Sequence, residues 1–248
     1  MDWKLENYVF TPFNWPDWAE GRMWAPELHY VSGRYIVYFT AADINDKLNI
    51  GAAIATTSDP FGSYEDIGRP LIVDENSVAG ALDPHYFLDP VSNNQYLLWK
   101  EDDPFRTSLI KIQQLNRDGI SFQGAAKTIL TSTLPGERFV TEAPWMMYKE
   151  GYYYLFYSSA WFFGVKYHLR VAKAKSVTGP FVKRRQPILE TNWEMYKTGE
   201  NCTFVGPGHG SVVNVDDDWW LLYHAWTFGH VDTEPGRFCT KNLQIEQI

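Results

Sequence analysis

The chain has 248 residues, a net charge of −8 and a pI near 5.2, and its Lys and Arg residues form no cluster. A nucleic-acid partner normally requires a basic footprint, and no apolar run approaches the length of a membrane span, so we expect neither kind of partner. No linker or low-complexity segment divides the chain, which predicts a single domain over 1–248. The first residues do not form a signal peptide. Localisation and oligomeric state stay open.

Aromatic residues are abundant, at 17% of the chain with 11 Trp and 15 Tyr. Aromatic side chains suit pleated sheet surfaces and bury large areas, so packing explains most of them. Flat rings also stack on the apolar faces of sugars. Aromatic residues near turns are therefore the better candidates for a carbohydrate site.

Short runs rich in Tyr, Val, Ile, Phe and Trp alternate with turns along the whole chain, which predicts an all-β protein. The Ala-rich runs 51–56 and 169–174 each precede a similar turn, so we predict that both are third strands of repeated units. The run 181–184 is predicted as an outer strand. Four strands per unit is typical of a propeller blade.

A phrase of a charged or imidazole residue beside a Pro or Gly turn, followed by an aromatic strand, occurs four times. The copies are centred on Glu27, Asp83, Glu142 and His209. Their spacings are roughly 56, 59 and 67 residues, by subtraction of residue numbers, and periods of this size indicate a repeat architecture. A propeller would bring equivalent positions of all the blades to one axis, where they would form one polar site.

Only 23 residues precede the first full unit, and we expect residues 1–23 to be the remnant of a first blade. The run 3–8 is predicted to lie in the outer half of that blade. The chain is then expected to hold four recognisable blades and a partial N-terminal one.

Asp83 and Glu142 are the central candidates for chemistry, because each closely precedes a Pro and opens an inner strand. A pair of carboxylates is the usual equipment for glycoside hydrolysis. The apolar run 143–145 and a nearby Asp83 are expected to raise the pKa of Glu142. Glu27 is interpreted as a residue that holds the blade turn by hydrogen bonding, with a third axial carboxylate as the alternative. Trp24 is a candidate platform for sugar stacking.

His209 lies between glycines, so the backbone is expected to pass close to a neighbour while the imidazole points inward. No Cys or second His stands at ligand spacing, which argues against a zinc site there. Arg237 is a candidate for holding a carboxylate or a sugar hydroxyl. The pairing of Cys202 with Cys239 stays open.

These motifs, in this order, resemble glycoside hydrolase family 43, whose members are five-bladed β-propellers acting on arabinose- and xylose-containing glycans. The matching stretches cover nearly the whole chain: Trp24-Ala25-Pro26-Glu27-Leu28, Leu82-Asp83-Pro84-His85-Tyr86-Phe87, Thr141-Glu142-Ala143-Pro144 and Gly208-His209-Gly210-Ser211-Val212-Val213. The resemblance implies an O-glycosyl hydrolase of the α-L-arabinofuranosidase or β-xylosidase type that inverts the anomeric configuration.

The resemblance also implies residue roles. Glu142 falls on the general acid and Asp83 on the aspartate that tunes its pKa and orients it. His209 falls on an axial histidine that in some members lies beside a calcium ion, usually through water, whereas Arg237 falls near a site-lining arginine. No other cofactor is implied.

The general base of the family is an Asp upstream of the Trp-Ala-Pro phrase, and neither Asp2 nor Asp17 matches it. We therefore expect strongly reduced activity unless another carboxylate supplies the base. A non-catalytic carbohydrate-binding propeller is the alternative, and a propeller that binds protein partners is a third. The sugar, the linkage and exo or endo action stay open.

Overall fold

In the computed structural model the described residues are 4–103, 105, 107–198, 204–228 and 238–247. Their regular elements are almost all strands, joined by turns and loops, with one 3₁₀ turn at Pro135–Glu137 and one short helix, α1, at Trp193–Thr198. The all-β prediction is confirmed. No helix among these residues is long and apolar enough to cross a membrane.

The first sheet is a four-stranded antiparallel meander. It contains β1 (Gly21–Val31), β2 (Arg34–Ala42), β3 (Leu48–Ala55) and β4 (Tyr64–Asp66), hydrogen-bonded in that order. Alternate residues of β1 are exposed, as expected of a strand with one face packed. The Ala-rich run is β3, which confirms its prediction as a third strand rather than a helix.

The second sheet also follows chain order. It contains β5 (Leu82–Leu88), β6 (Gln95–Asp102), β7 (Ser108–Leu115) and β8 (Phe122–Thr131). β5 is buried along almost its whole length, up to Leu88. Such a strand is packed on both faces, so its polar residues must find partners inside the protein.

The third and fourth sheets complete the described part of the fold. The third contains β9 (Thr141–Lys149), β10 (Tyr152–Ser159), β11 (His168–Ala174) and β12 (Val182–Lys183), and the fourth contains β13 (Val205–Val215), β14 (Asp218–Phe228) and β15 (Phe238–Gln247). The predicted third strand at 169–174 and the outer strand at 181–184 are confirmed as β11 and β12. The last sheet has three strands among the described residues.

The contacts divide the chain into two compact units. Unit 1 is 1–106 with 111–127, and unit 2 is 107–110 with 128–248. The core of unit 1 is built from β1–β3, β5 and β6, with Ile36, Tyr38, Ile50, Leu97 and Trp99 at most 2% exposed. The core of unit 2 packs Phe156 and Leu169 against Val212, Leu221 and Tyr223.

Residues 4–20 contain no strand, contrary to the predicted outer-blade strand in 3–8. They are fixed by packing instead: Val9, Phe10 and Trp18 lie against a cluster that includes Phe39 and Tyr64. Polar contacts add to this, because the side chain of Asn14 donates to the carbonyls of Val9 and Tyr64 at 2.9 and 3.1 Å.

Candidate functional site

The repeated sequence motif coincides with a backbone irregularity in the first strand of each of the four sheets. One non-glycine residue in every copy has a left-handed backbone: Ala25 (φ 46°), Asp83 (φ 55°), Ala143 (φ 50°) and His209 (φ 52°). The strand register shifts at the same four places, between Trp24 and Glu27, Leu82 and His85, Glu142 and Trp145, and Gly208 and Ser211. Each copy is therefore a β-bulge, a device that re-aims side chains and is common beside active sites.

This backbone repeat corrects the alignment of the four sequence markers. Asp83 and His209 are equivalent to each other, and their counterparts in the other two copies are Ala25 and Ala143. Glu142 stands one residue before the left-handed position and Glu27 two residues after it. The prediction that Asp83 and Glu142 hold equivalent positions is wrong, because Pro144 follows Glu142 by two residues whereas Pro84 follows Asp83 directly.

In unit 1, Asp83 is buried and its backbone is fixed by a neighbouring strand. Its N–H donates to Oγ1 of Thr40 at 3.0 Å, and both residues are less than 10% exposed. Thr40 lies on β2 directly opposite Trp24. One hydroxyl group therefore connects the bulge that carries Asp83 with the strand pair that carries Trp24.

The side chain of Glu27 connects β1 to β5 just beyond Asp83. Its carboxylate lies 2.8 Å from Nε2 of His29 and 3.1 Å from Nδ1 of His85, and it accepts the N–H of Tyr86 at 3.3 Å. A carboxylate can only accept, so both ring nitrogens carry the protons. Glu27 thus has a hydrogen-bonding role, as the sequence indicated, but it holds the neighbouring strand β5 rather than the turn of its own blade.

The charge state of Glu27 follows from these contacts. Burial alone would raise its pKa, but the attraction of His85 and hydrogen bonds from His29 and His85 outweigh burial and lower the pKa to about 2. Glu27 is therefore ionised throughout the physiological range.

Glu27, His29 and His85 also place one ligand atom each within 4.8 Å of one another. Two imidazoles and a carboxylate are a donor set that zinc accepts, but here the three groups satisfy one another by hydrogen bonding. Sequence reasoning missed this cluster. Its local signal is Glu27-x-His29, since residues two apart on a strand share a face.

In unit 2, one serine neighbours both Glu142 and His209. Glu142 is half-buried on β9. In the strand register it lies opposite Ser158 of β10, which is fully buried. The N–H of His209 donates to Oγ of Ser158 at 2.7 Å. Ser158 thus does in unit 2 what Thr40 does in unit 1, because each hydroxyl accepts the N–H of a left-handed residue in the next sheet.

Close backbone approach beside His209 is confirmed. A Cβ on Gly208 would lie 2.2 Å from the ring of Tyr167, so only glycine fits there. The ring of His209 lies 5.7 Å from that of His224, which in turn stacks on Tyr167.

The family resemblance implies a calcium ion near His209. Calcium takes six to eight oxygen ligands, whereas the described contacts of His209 supply an imidazole and a serine hydroxyl. These residues do not hold the ion directly. A water-mediated contact stays a prediction, and no chemical step is assigned to the ion.

The remaining predicted residues fall into two groups. Trp24 is 42% exposed with the Arg22 guanidinium 5.9 Å from its ring, which suits a stacking platform. Asp17 is an exposed turn residue. Arg237, Asp2 and Cys202 lie outside the described residues, as does the side chain of Cys239.

Comparison with solved structures identifies the fold. A thermostable family-43 glycoside hydrolase superposes with a TM-score of 0.78 at 23% identity, covering 93% of this chain and 72% of that one. An α-L-arabinofuranosidase from Lactobacillus brevis superposes with a TM-score of 0.72 at 21% identity, covering 91% and 72%. The fold is that of the five-bladed β-propeller glycoside hydrolases, and the four sheets are its recognisable blades.

The sequence profile of the glycosyl hydrolases family 43 matches residues 1–248, and the chain belongs to that family. An extracellular endo-α-(1→5)-L-arabinanase of Bacillus subtilis is 26% identical over 235 residues, covering 91% of this chain and 69% of that protein. A β-D-galactofuranosidase of Aspergillus niger is 32% identical over 244 residues, covering 90% and 62%. A putative β-xylosidase of Xylanibacter ruminicola is 27% identical over 230 residues, covering 90% and 38%.

Proposed function

We propose that this chain is a glycoside hydrolase of arabinose- or xylose-containing glycans that works by an inverting acid–base mechanism. The observation that supports the proposal is the β-bulge that recurs in this family-43 chain. At one bulge the N–H of Asp83 donates to Thr40. At two others, Glu142 lies opposite Ser158 in the strand register and the N–H of His209 donates to the same serine. Strained backbone at four equivalent positions supports a site under functional constraint.

In this scheme Glu142 is the general acid. It donates its proton to the glycosidic oxygen as the bond from that oxygen to the anomeric carbon breaks, and the leaving alcohol departs neutral. A base removes a proton from the water that attacks the opposite face of the sugar. The family resemblance assigns to Asp83 the role of orienting the acid and tuning its pKa. No described residue is assigned as the base.

Trp24 and His209 are proposed as substrate-binding residues, and Arg237 as a third. The exposed ring of Trp24 supplies a flat apolar surface for a sugar face, and the neighbouring Arg22 orders that ring through a cation–π contact. His209 presents an imidazole that can donate to, or accept from, a sugar hydroxyl.

The names of the relatives support a substrate class and leave the sugar to experiment. One acts on α-1,5-linked arabinan, one on β-D-galactofuranosides, and one is a putative β-xylosidase. The test is a panel of aryl α-L-arabinofuranoside, aryl β-D-xyloside and aryl β-D-galactofuranoside, together with linear arabinan.

Glu142→Gln and Asp83→Asn are expected to lower kcat by about 10²–10⁴-fold, the range for loss of acid–base assistance. Glu65→Gln removes an exposed carboxylate of β4 and is the matched control, with no expected change. Turnover that survives Glu142→Gln would refute the assignment of the acid.

The alternative function is a carbohydrate-binding propeller without turnover. It is favoured by one observation: Asp17, the one aspartate that precedes Trp24 among the described residues, is an exposed turn residue. Azide separates the two functions. An enzyme that has the general acid but lacks the base should turn over faster with azide, because azide attacks the anomeric carbon and yields a glycosyl azide. A carbohydrate-binding protein should bind the sugar and release no product, with or without azide.

A further inference from the structure

A polar cavity of about 570 Å³ lies in unit 1, at the ends of β1 and β5 that are remote from the bulges. Its wall is formed by the β1–β2 turn, the end of β5, the loop to β6, and the loop between β7 and β8. The volume is in the range of pockets that hold small ligands.

The cavity is separate from Asp83 and Trp24. Tyr86, the lining residue of β5 that lies nearest Asp83 in sequence, is three positions beyond it, and Tyr30 is six positions beyond Trp24 on β1. At roughly 3.3 Å per strand residue, these separations are about 10 and 20 Å. A ligand in the cavity would therefore not touch either candidate site residue of unit 1.

One cavity atom lacks a hydrogen bond. Oε1 of Gln95 is buried and has no hydrogen-bond partner among the described residues, while the amide nitrogen of the same side chain reaches Oγ of Ser32 at 3.4 Å. A buried acceptor without a donor is unfavourable, so native structures usually satisfy it with protein, water or ligand. A ligand that supplies a hydroxyl donor would satisfy it here.

The rest of the wall suits a neutral polyol. It is lined mainly by side-chain amides and hydroxyls, and Arg117 is the one Lys, Arg, Asp or Glu side chain among its lining residues in the described chain. Tyr30 is 63% exposed, with its ring centroid 4.9 Å from that of Tyr35, so it offers a ring face at the rim. Protein sites recognise sugars with side-chain amides, which hydrogen-bond to the sugar hydroxyls, and with aromatic rings, which stack on the sugar face.

We propose that this cavity is a second, non-catalytic binding site for a neutral oligosaccharide. Tyr30 stacks on a sugar ring, and Oε1 of Gln95 accepts a hydrogen bond from a sugar hydroxyl. The inference rests on the proposed function for the source of the glycan, which is the polysaccharide on which the enzyme acts. A second site would hold that polymer while another part of it is cleaved.

The test is calorimetric titration of arabinopentaose and xylopentaose into the Glu142→Gln protein, alone and combined with Tyr30→Ala or Gln95→Leu. We expect two binding events in the parent, and affinity for one of them at least about fivefold lower in either combined variant. Tyr8→Ala is the matched control, because Tyr8 is also 63% exposed in unit 1 and does not line the cavity.

Binding that is the same in all four proteins would overturn the proposal. The aryl glycoside panel reports on the proposed function separately. Tyr30-dependent binding without any hydrolysis would support the cavity site and contradict the hydrolase, whereas hydrolysis with Tyr30-independent binding would do the reverse. Circular dichroism of each variant checks that the fold is retained.

Discussion

Nδ1 of His85 lies 3.1 Å from both carboxylate oxygens of Glu27, across 58 residues of sequence. The contact connects β1 to β5 two residues after Asp83. It combines ionic attraction with a hydrogen bond, and the His85 side chain is 3% exposed, so water does little to weaken it. The backbone that carries Asp83 is thus held next to a carboxylate that accepts hydrogen bonds from two imidazoles.

Glu27→Gln is predicted to make stability less sensitive to acid. The pKa of Glu27 in the folded protein, about 2, is below its ordinary 4.5. The stabilisation is therefore complete above pH 4.5 and is lost as the pH falls toward 2. The difference in unfolding free energy between the native chain and the variant should be about 3 kcal/mol at pH 6 and roughly half that at pH 3.

Urea denaturation at pH 6, 4 and 3 measures this difference. Subtracting the two proteins removes the contribution of the other carboxylates. A difference that stays constant over this pH range would contradict the prediction.

Thr40→Val is predicted to weaken the support of Asp83. The substitution keeps the shape of the side chain but leaves the buried N–H of Asp83 without its acceptor, at a cost of about 1–3 kcal/mol. Hydrolysis should fall as well under the role proposed for Asp83. Thr40→Ser keeps the hydroxyl and is the control. Thermal unfolding and kcat on the aryl panel give the two readouts, and equal behaviour of the Val and Ser variants would remove Thr40 from this role.

Lys183→Met is predicted to destabilise unit 2 strongly. Glu137 is fully buried, and its carboxylate accepts from Lys183 at 2.7 and 2.8 Å, from Tyr157 at 2.8 Å, and from two backbone N–H groups. Burial alone would raise the pKa of Glu137, but the hydrogen bond from Lys183 helps to keep it lowered. Removing the cation leaves a buried charge, which costs about 3–5 kcal/mol.

The double variant Glu137→Gln with Lys183→Met is the control, because it removes both charges. It should recover part of the loss seen in the single variant by chemical denaturation. If the unfolding free energy of Lys183→Met lies within about 1 kcal/mol of that of the native chain, the prediction is wrong, because water then solvates the Glu137 carboxylate in place of Lys183.

Gly80→Ala is predicted to disrupt unit 1, whereas Gly68→Ala is tolerated. Both glycines have positive φ, at +94° and +78°. A Cβ on Gly80 would lie 1.9 Å from the carbonyl oxygen of Leu48, while one on Gly68 would meet nothing within 4 Å. We expect about 1–2 kcal/mol for Gly68→Ala from backbone strain alone, and a larger loss or failure to fold for Gly80→Ala. Equal melting temperatures would contradict the predicted clash.

The strands could be predicted from sequence because their signal is local. The similar turns that follow the two Ala-rich runs identified β3 and β11 as third strands despite their alanines. The strand expected in 3–8 is not found in residues 4–8, and the aromatic residues that follow, Phe10 and Trp18, pack by side chain.

The candidate site was only partly predictable. Its residue types are visible in the sequence, but the register of the bulges is not, since an Ala at position 25 or 143 gives no sign of a left-handed backbone. The Glu27–His85 and Ser158–His209 contacts join residues 58 and 51 apart. Such pairings are set by tertiary packing and leave no periodic trace.

Gly80 has a further consequence for anyone who would redesign this protein. The residue lies three positions before Asp83, and its α-hydrogen faces the carbonyl of Leu48, where a parallel bridge joins residues 48 and 80. A mutational library over 78–83 should therefore return glycine at position 80 in every folded clone. New specificity would have to be selected at other positions, because position 80 admits no side chain.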